Sequence, residues 1–210
     1  MNNQFPNNEF PITMPKNKLI IFVKNEEIGK VKTRLAESIG DAQALKIYRQ
    51  LLRHTHEQAS RTNATKEVWY SNFITENDLW DSGNFTKKKQ SGSDLGARMS
   101  GAFRESLQLK KAQNVVLIGS DCPGLTAEII NNAFRQLSGK NIVIGPALDG
   151  GYYLIGMSSY FPELFENMVW STDSVLEDTV EIIRKTGASF ALLEELNDVD
   201  TAEDLEWMDK

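Results

Sequence analysis

One cysteine in 210 residues, Cys122, rules out an intrachain disulfide, and no CxxC pair or Cys/His cluster with zinc spacing exists. The expected setting is a reducing cytoplasm. Cys122 has no histidine nearby in sequence, and Asp121 beside it raises a thiol pKa, which argues against a nucleophile. Histidine is nearly as scarce. His54 and His56 are the only two, and two apart on a helix they point in different directions and make a poor metal pair. Long apolar runs are missing too: near the start the longest is Leu19 to Val23, too short for a secretory segment or a membrane span. The motifs GxxxxGK(S/T), GxGxxG and GxSxG do not occur, which removes the Walker loop, the dinucleotide fingerprint and the nucleophile elbow. Net positive charge is lacking as well. At a formal charge of -6 the chain is not expected to coat nucleic acid or bind an anionic membrane, and any anionic ligand must be met by local cations.

What remains is the composition of an ordinary α/β protein, 40% hydrophobic and 25% charged. Residues 1–17, rich in Asn and Pro, read as a flexible tail, and 18–210 as a single domain. Apolar, β-rich stretches alternate with helical periodicity along that domain. Lys18 to Lys24 is a central strand, Lys66 to Phe73 a second and Phe85 to Gln90 a short third. The Val115 strand follows, then Asn141 to Gly145, Gly151 to Met157 and Ser189 to Leu193. Helices fit Asp41 to Arg61, Asp94 to Leu109, and Ala127 to Leu137 capped by Thr126. Ser174 and Glu177 form a capping box for a last long helix that Gly187 ends, and Thr201 with Asp204 starts a short terminal one. Strand and helix alternating in this way predict crossover connections and a three-layer α/β/α sandwich around a mostly parallel sheet. The Lys87 to Lys89 run reads most simply as a solvated edge.

Ligands of such sheets bind beyond the carboxyl ends of the strands, so the loops there hold the candidate chemistry. Val115 to Gly124 (VVLIGSDCPG) is a fully apolar strand that delivers Asp121 to that edge. The carboxylate either shapes a turn or holds a metal. After the first strand, Lys30, Lys32 and Arg34 fall within five residues, next to a helix start that favours phosphate. They form a solvated surface, or a phosphate clamp if they face Asp121. Gln90 to Met99 sets two glycines before a helix, with Asp94 as cap or ligand contact. Asp149-Gly150-Gly151 is a hairpin turn or a carboxylate presented beside room for a ligand. Trp170-Ser171-Thr172-Asp173 is a polar loop before a helix. In the acidic exit Asn197 to Thr201, the alternation of Asp198 and Asp200 is read as sending only one of them into a site.

Six stretches in order, GKVKTRL, QSGSDLGARM, IGSDCPGL, GPALDGGYYLIGM, ENMVWSTDSV and DVDTAEDL, resemble the bacterial glycosyltransferase-like proteins called radical-SAM/selenodomain-associated transferases. These are related to the nucleotide-diphospho-sugar transferase superfamily, with its Rossmann-like GT-A type fold. The resemblance covers about residues 18–208. It departs in the first loop, where Asn25-Glu26-Glu27-Ile28-Gly29 replaces a Pro-rich segment ending Pro-Gly. It implies that Asp121 and Asp200 hold a divalent metal, Mg²⁺ or Mn²⁺, and that Lys24, Lys32 and Arg34 meet a diphosphate. It further implies that Gln90, Asp94 and Arg98 line the nucleotide pocket. Asp149, Gly150 and Gly151 fall on the acceptor side, bordered by Trp170, Ser171, Thr172 and Asp173. Asp121 and Asp149 are then the catalytic carboxylates, with Asp149 orienting or deprotonating an acceptor hydroxyl. The expected activity is metal-dependent glycosyl transfer from a nucleotide sugar. Nucleotidyl transfer from an NTP with pyrophosphate release, and nucleotide binding without turnover, are the alternatives. Oligomeric state leaves no mark on the sequence.

Overall fold

Side-chain alternation in β1 (Asn17–Val23) sets the two faces of the sheet: Leu19, Ile21 and Val23 join one core, Ile20 and Phe22 the other. Neither set has a polar break, as a strand covered on both sides requires. The computed structural model describes residues 17–81 and 84–209. The expected tail lies outside these residues except for Asn17, which opens β1 and pairs with Asn114.

The further strands among the described residues are β2 (Thr65–Tyr70), β3 (Phe85–Lys89), β4 (Asn114–Ile118), β5 (Ile142–Pro146), β6 (Tyr152–Met157) and β7 (Phe190–Leu192). They form one sheet in the order β3-β2-β1-β4-β6-β5-β7, parallel throughout except for β6, which runs against both β4 and β5. The α-helices among the described residues are α1 (Thr33–Ile39), α2 (Asp41–Ser60), α3 (Leu95–Arg104), α4 (Ala127–Gln136) and α5 (Val175–Thr186). Leu45, Tyr48 and Leu52 of α2 and Ile130 and Phe134 of α4 cover the Leu19 face. Met99 and Phe103 of α3 and Ile183 of α5 cover the Ile20 face. This is the expected three-layer sandwich. Ile21 stands opposite Ile118, so Lys24 and Gly119 leave the sheet at the same edge. The chain goes from β1 outward to β2 and β3, whereas β4 leads to the other half. The β1/β4 seam is therefore a topological switch point, where a crevice opens.

The structure corrects several local expectations. The hairpin reading of Asp149-Gly150-Gly151, by contrast, holds: the segment joins β5 to β6 antiparallel, with no helix between them. The second strand stops at Tyr70, because the amides of Asn72 and Phe73 are taken by the Asn25 side chain. Beyond α3 the expected helix continues as a π turn over Glu105–Leu109. Ser174 has helical backbone angles and makes no cap, its hydroxyl donating instead to Asp178 at 2.9 Å, so the capping box with Glu177 does not form. Thr126 does cap α4, and Gly187 closes α5 in the left-handed region. The Lys87–Lys89 run is not simply solvated. Lys87 pairs with Asp78 and Asp81, and Lys88 lies 4.7 Å from the Trp69 ring centre while pairing with Glu67.

Glu67 on β2 is buried among Lys18 (3.0 Å), Lys88 (2.9 Å) and Lys110 (3.4 Å). Burial alone raises its carboxyl, but the bonds from Lys88 and Lys18 outweigh burial and hold it down to about 2, below the ordinary 4.5. A folded value below the unfolded one means that the stabilisation is present above about pH 4.5 and is lost as the pH falls towards 2. The urea midpoint is expected to fall across that window. In Glu67→Gln the buried Lys18 loses its counter-charge, at a cost of about 3–5 kcal/mol near neutrality, and the acid limb flattens. A variant as stable as the parent, with the same acid slope, would contradict the account.

Candidate active site

The chain leaves β1 through a loop that a single buried amide organises. Asn25 donates to Phe73 O (2.8 Å) and Thr75 Oγ1 (3.2 Å) and accepts from the Asn72 amide (3.0 Å). The Tyr48 hydroxyl accepts from the Lys24 amide at 2.8 Å, fixing the strand end to α2. Glu26, part of the departure from the family pattern, turns away to pair with Arg49 at 2.7 Å. Where the loop meets α1, Lys32 takes left-handed angles, φ 47° and ψ 47°, which a non-glycine residue adopts only at a cost. Its side chain is 5% exposed and its ammonium points to the sheet edge.

There it meets carboxylates from two distant segments. Lys32 Nζ donates to Asp121 Oδ2 at 3.0 Å and to Asp200 Oδ1 at 2.9 Å, and Arg34 pairs with the other Asp200 oxygen. Asp121 comes from the β4 exit. The Val199 amide donates to the Asp121 carbonyl at 3.0 Å, and Asp204 receives the amides of Asp200 and Thr201, so the terminal segment is tied to that exit. Burial would raise the Asp121 carboxyl, but the Lys32 charge outweighs it and holds the group below its ordinary range. Burial also works against charge on Lys32, yet Asp121 and Asp200 raise its pKa well above the usual lysine value. On Asp198 the Lys32 charge acts in the same direction but does not prevail. Burial and then the Asp121 charge push it well above a normal carboxylate, and its Oδ1 has no hydrogen bond.

These groups line a cavity of about 900 Å³ at the β1/β4 crevice. Lys24, Lys32, Arg34 and Asp121 with Asp200 mark one end. Gln90 also lines it, donating to Val23 O and Trp69 O at 3.3 and 2.8 Å, as does Arg98, which reaches back to Gly92 O. Asp94 does not line it: its Oδ1 accepts the Ala97 amide at 2.9 Å and caps α3. Asp149 and Gly151 border the cavity, joined by a 2.9 Å bond from the Gly151 amide to Asp149 Oδ1. Gly150 lies behind it at φ 85°, where a Cβ would stand 2.0 Å from the Asp173 carbonyl. Trp170, Ser171, Thr172 and Asp173 line the cavity as well. Trp170 stacks on Phe165, and its indole rests against Gly96.

Sequence reasoning missed Asp198, Asn25 and two further lining residues, Tyr152 and Met99. The signal for Asp198 was present. Residues two apart on an extended segment share a face, and Val199 between them is the one that points away, into the core beside α1 and α2.

Among the described residues no three His, Cys, Asp or Glu side chains are arranged to grip a metal ion. The donor chemistry nevertheless suits a hard cation: three carboxylates at one rim, one with a buried, unpartnered oxygen, and an ammonium between the other two. No described helix is long and apolar enough to cross a membrane.

A model of the DUF2064 family, described as an uncharacterized protein conserved in bacteria, matches residues 54–172. A protein from Desulfovibrio desulfuricans, provisionally named a nucleotide-diphospho-sugar transferase, has a similar structure. Its TM-score is 0.82 at 34% identity, covering 90% of this chain and 84% of that one. More distant are the 4-diphosphocytidyl-2C-methyl-D-erythritol synthase of Anaerococcus prevotii (TM-score 0.58, 11% identity, 91% and 93% covered) and the inositol-1-phosphate CTP transferase of T. maritima (0.57, 13%, 94% and 96%). At that identity the likeness carries the fold alone. No curated protein matches, and none of these matches bears on a radical-SAM association.

The Trp170 wall can be tested without a ligand. A Cβ on Gly96 would stand 2.3 Å from Trp170 Nε1. Gly96→Ala is therefore expected to push the indole off the wall, although the helix itself gains up to about 1 kcal/mol from alanine. Acrylamide quenching of tryptophan fluorescence should rise in Gly96→Ala, and the difference should vanish when Trp170→Phe is added. Equal quenching in parent and variant would overturn the packing.

Proposed function

The chain belongs to the DUF2064 family, an enzyme of GT-A-like transferase type, and from that premise we propose that it is a metal-dependent transferase that moves a glycosyl group from a nucleotide sugar to an acceptor. The observation that supports this most is the Lys32 ammonium held between Asp121 and Asp200 at the rim of the crevice. A site for a nucleoside diphosphate needs positive charge for the leaving group and a carboxylate set for the cation that travels with it. Both stand at this rim.

In this reading Lys24, Lys32 and Arg34 hold the diphosphate, and Gln90 and Arg98 line the nucleotide side. Asp121 and Asp200 hold a divalent cation, Mg²⁺ or Mn²⁺, which supplies charge neutralisation for the departing diphosphate. Asp149, also on the cavity lining, orients the acceptor hydroxyl and takes its proton as the new glycosidic bond forms and the bond to the diphosphate breaks. The Trp170–Asp173 wall encloses the acceptor. Asp94 acts through α3, whose start it caps, rather than by touching the nucleotide. A reducing cytoplasm suits the buried, unpaired Cys122.

Thermal shift against NTPs, nucleotide sugars and bare diphosphates, each with and without Mn²⁺, tests the reading. A nucleotide sugar at a hundredfold excess over its Kd should raise the Tm on the order of 5–10 °C, and only with Mn²⁺. Asp121→Asn should abolish that shift. An NTP-specific response with pyrophosphate release would replace glycosyl by nucleotidyl transfer, and an equal response without metal would leave only a nucleotide-binding module.

A further inference from the structure

Lys32 is the basic residue best placed for a diphosphate, yet two of its three N–H donors are already taken by carboxylates. It is buried, held by a left-handed backbone, and bonded to two carboxylates at 3.0 and 2.9 Å. Arg34 is engaged too, on the second oxygen of Asp200. Two acids cover two of the three bases at this end, so among the described residues only Lys24, which makes no ion pair there, is open to an incoming diphosphate. Unit charges 4 Å apart interact by about 4 kcal/mol at the effective dielectric of a protein rim, so this balance decides whether an anion enters.

A single exchange of partners resolves the conflict. We propose that Lys32 is the resident counter-ion of the Asp121/Asp200 pair, that it yields this place to a divalent cation, and that its freed ammonium then becomes a ligand of the diphosphate. The exchange puts one more positive charge on the carboxylates and releases another towards the phosphates. The geometry asks for little: oxygens 3.0 and 2.9 Å from the nitrogen need to close by about 1 Å each to reach the ~2.1 Å of a Mg²⁺ bond. Asp198 Oδ1, buried at the same rim without a hydrogen bond, is a further oxygen within the cluster. The inference rests on the metal dependence of the function proposed above, and not on the identity of the donor.

The test uses the full chain and Mn²⁺ alone, with no nucleotide, reading affinity from the paramagnetic resonance signal of free Mn²⁺. Lys32→Gln is expected to bind Mn²⁺ at least about tenfold more tightly than the parent, because the competing ammonium is gone, and Asp121→Asn is expected to lose binding. Arg34→Gln removes a charge from the same cluster without emptying the bridging position, so its gain should be smaller. Equal or weaker binding by Lys32→Gln, a gain no larger than that of Arg34→Gln, or no binding by any form overturns the proposal. Should Lys32→Gln fail to fold, acylation of the parent read by peptide mass spectrometry decides. Lys32 should be labelled several-fold faster with Mn²⁺ present, and an unchanged or slower rate refutes the exchange. If the exchange holds and no nucleotide sugar binds, the donor assignment fails alone.

Discussion

An ammonium needs counter-charges when water is excluded from it, and Lys32 finds them in Asp121 and Asp200, 89 and 168 residues further along the chain. Much of the fold serves to bring these three together. β1 and β4 must lie side by side and parallel so that the loop bearing Lys32 and the turn bearing Asp121 leave at one edge. The terminal segment must then be tied back to the β4 exit, which the Val199 amide does through the Asp121 carbonyl while Val199 itself fills the core beside α1 and α2. Remove the ion cluster and the sheet would still form, since its two cores are continuous and apolar. The crevice, however, would have lost the contact that fixes its charged end. Stability of the scaffold and arrangement of the site are thus separable here, the first resting on burial and the second on charge.

The scaffold was readable because burial leaves a periodic trace. Uniformly apolar runs such as Val115 to Ile118 mark strands covered on both faces, and the stripe Ile130, Phe134, Leu137 marks a helix with one face inward. What could not be read were features decided by partners far along the chain. The second strand stops early because Asn25 captures the amides after Tyr70, and the lysines of β3 are drawn into ion pairs by Asp78, Asp81 and Glu67. Ser174 has the residue type of a cap but not the backbone angles, because its hydroxyl has a nearer acceptor in Asp178. Asp94 had two readings, and the local one prevailed: a carboxylate one residue before a helix meets the free amide of that helix before anything more distant.

The charged end was legible in its membership and not in its arrangement. Spacing alone could place Lys32 and Arg34 on a loop and Asp121 on a turn, and only the resemblance suggested that they meet. Neither source indicated that cation and carboxylates would satisfy each other. Asp198 was lost to a misapplied periodicity, since an extended segment sends alternate residues to the same side, and Asp198 lines the same cavity as Asp200. The glycines of the acceptor side were legible as places of close approach but not as to what approaches. Gly150 admits the Asp173 carbonyl and Gly96 the Trp170 indole, contacts between segments that no local pattern connects.

A chain of net charge -6 that binds an anion has two physical routes. One is an open basic patch, which the field of the whole protein then weakens at every approach. The other keeps its cations covered by carboxylates until a stronger cation takes their place, so that positive potential appears only where and when a metal is present. The cluster around Lys32 has the features of the second route: a buried, strained lysine paired with two carboxylates, one of them shared with Arg34, and an unpartnered oxygen beside them. In such a site selectivity against free anions needs no separate device. Under the proposed exchange a diphosphate arriving without its metal would meet Lys24 as its one uncovered cation, whereas one arriving with it would find both a carboxylate pair for the ion and a released ammonium for its own oxygens.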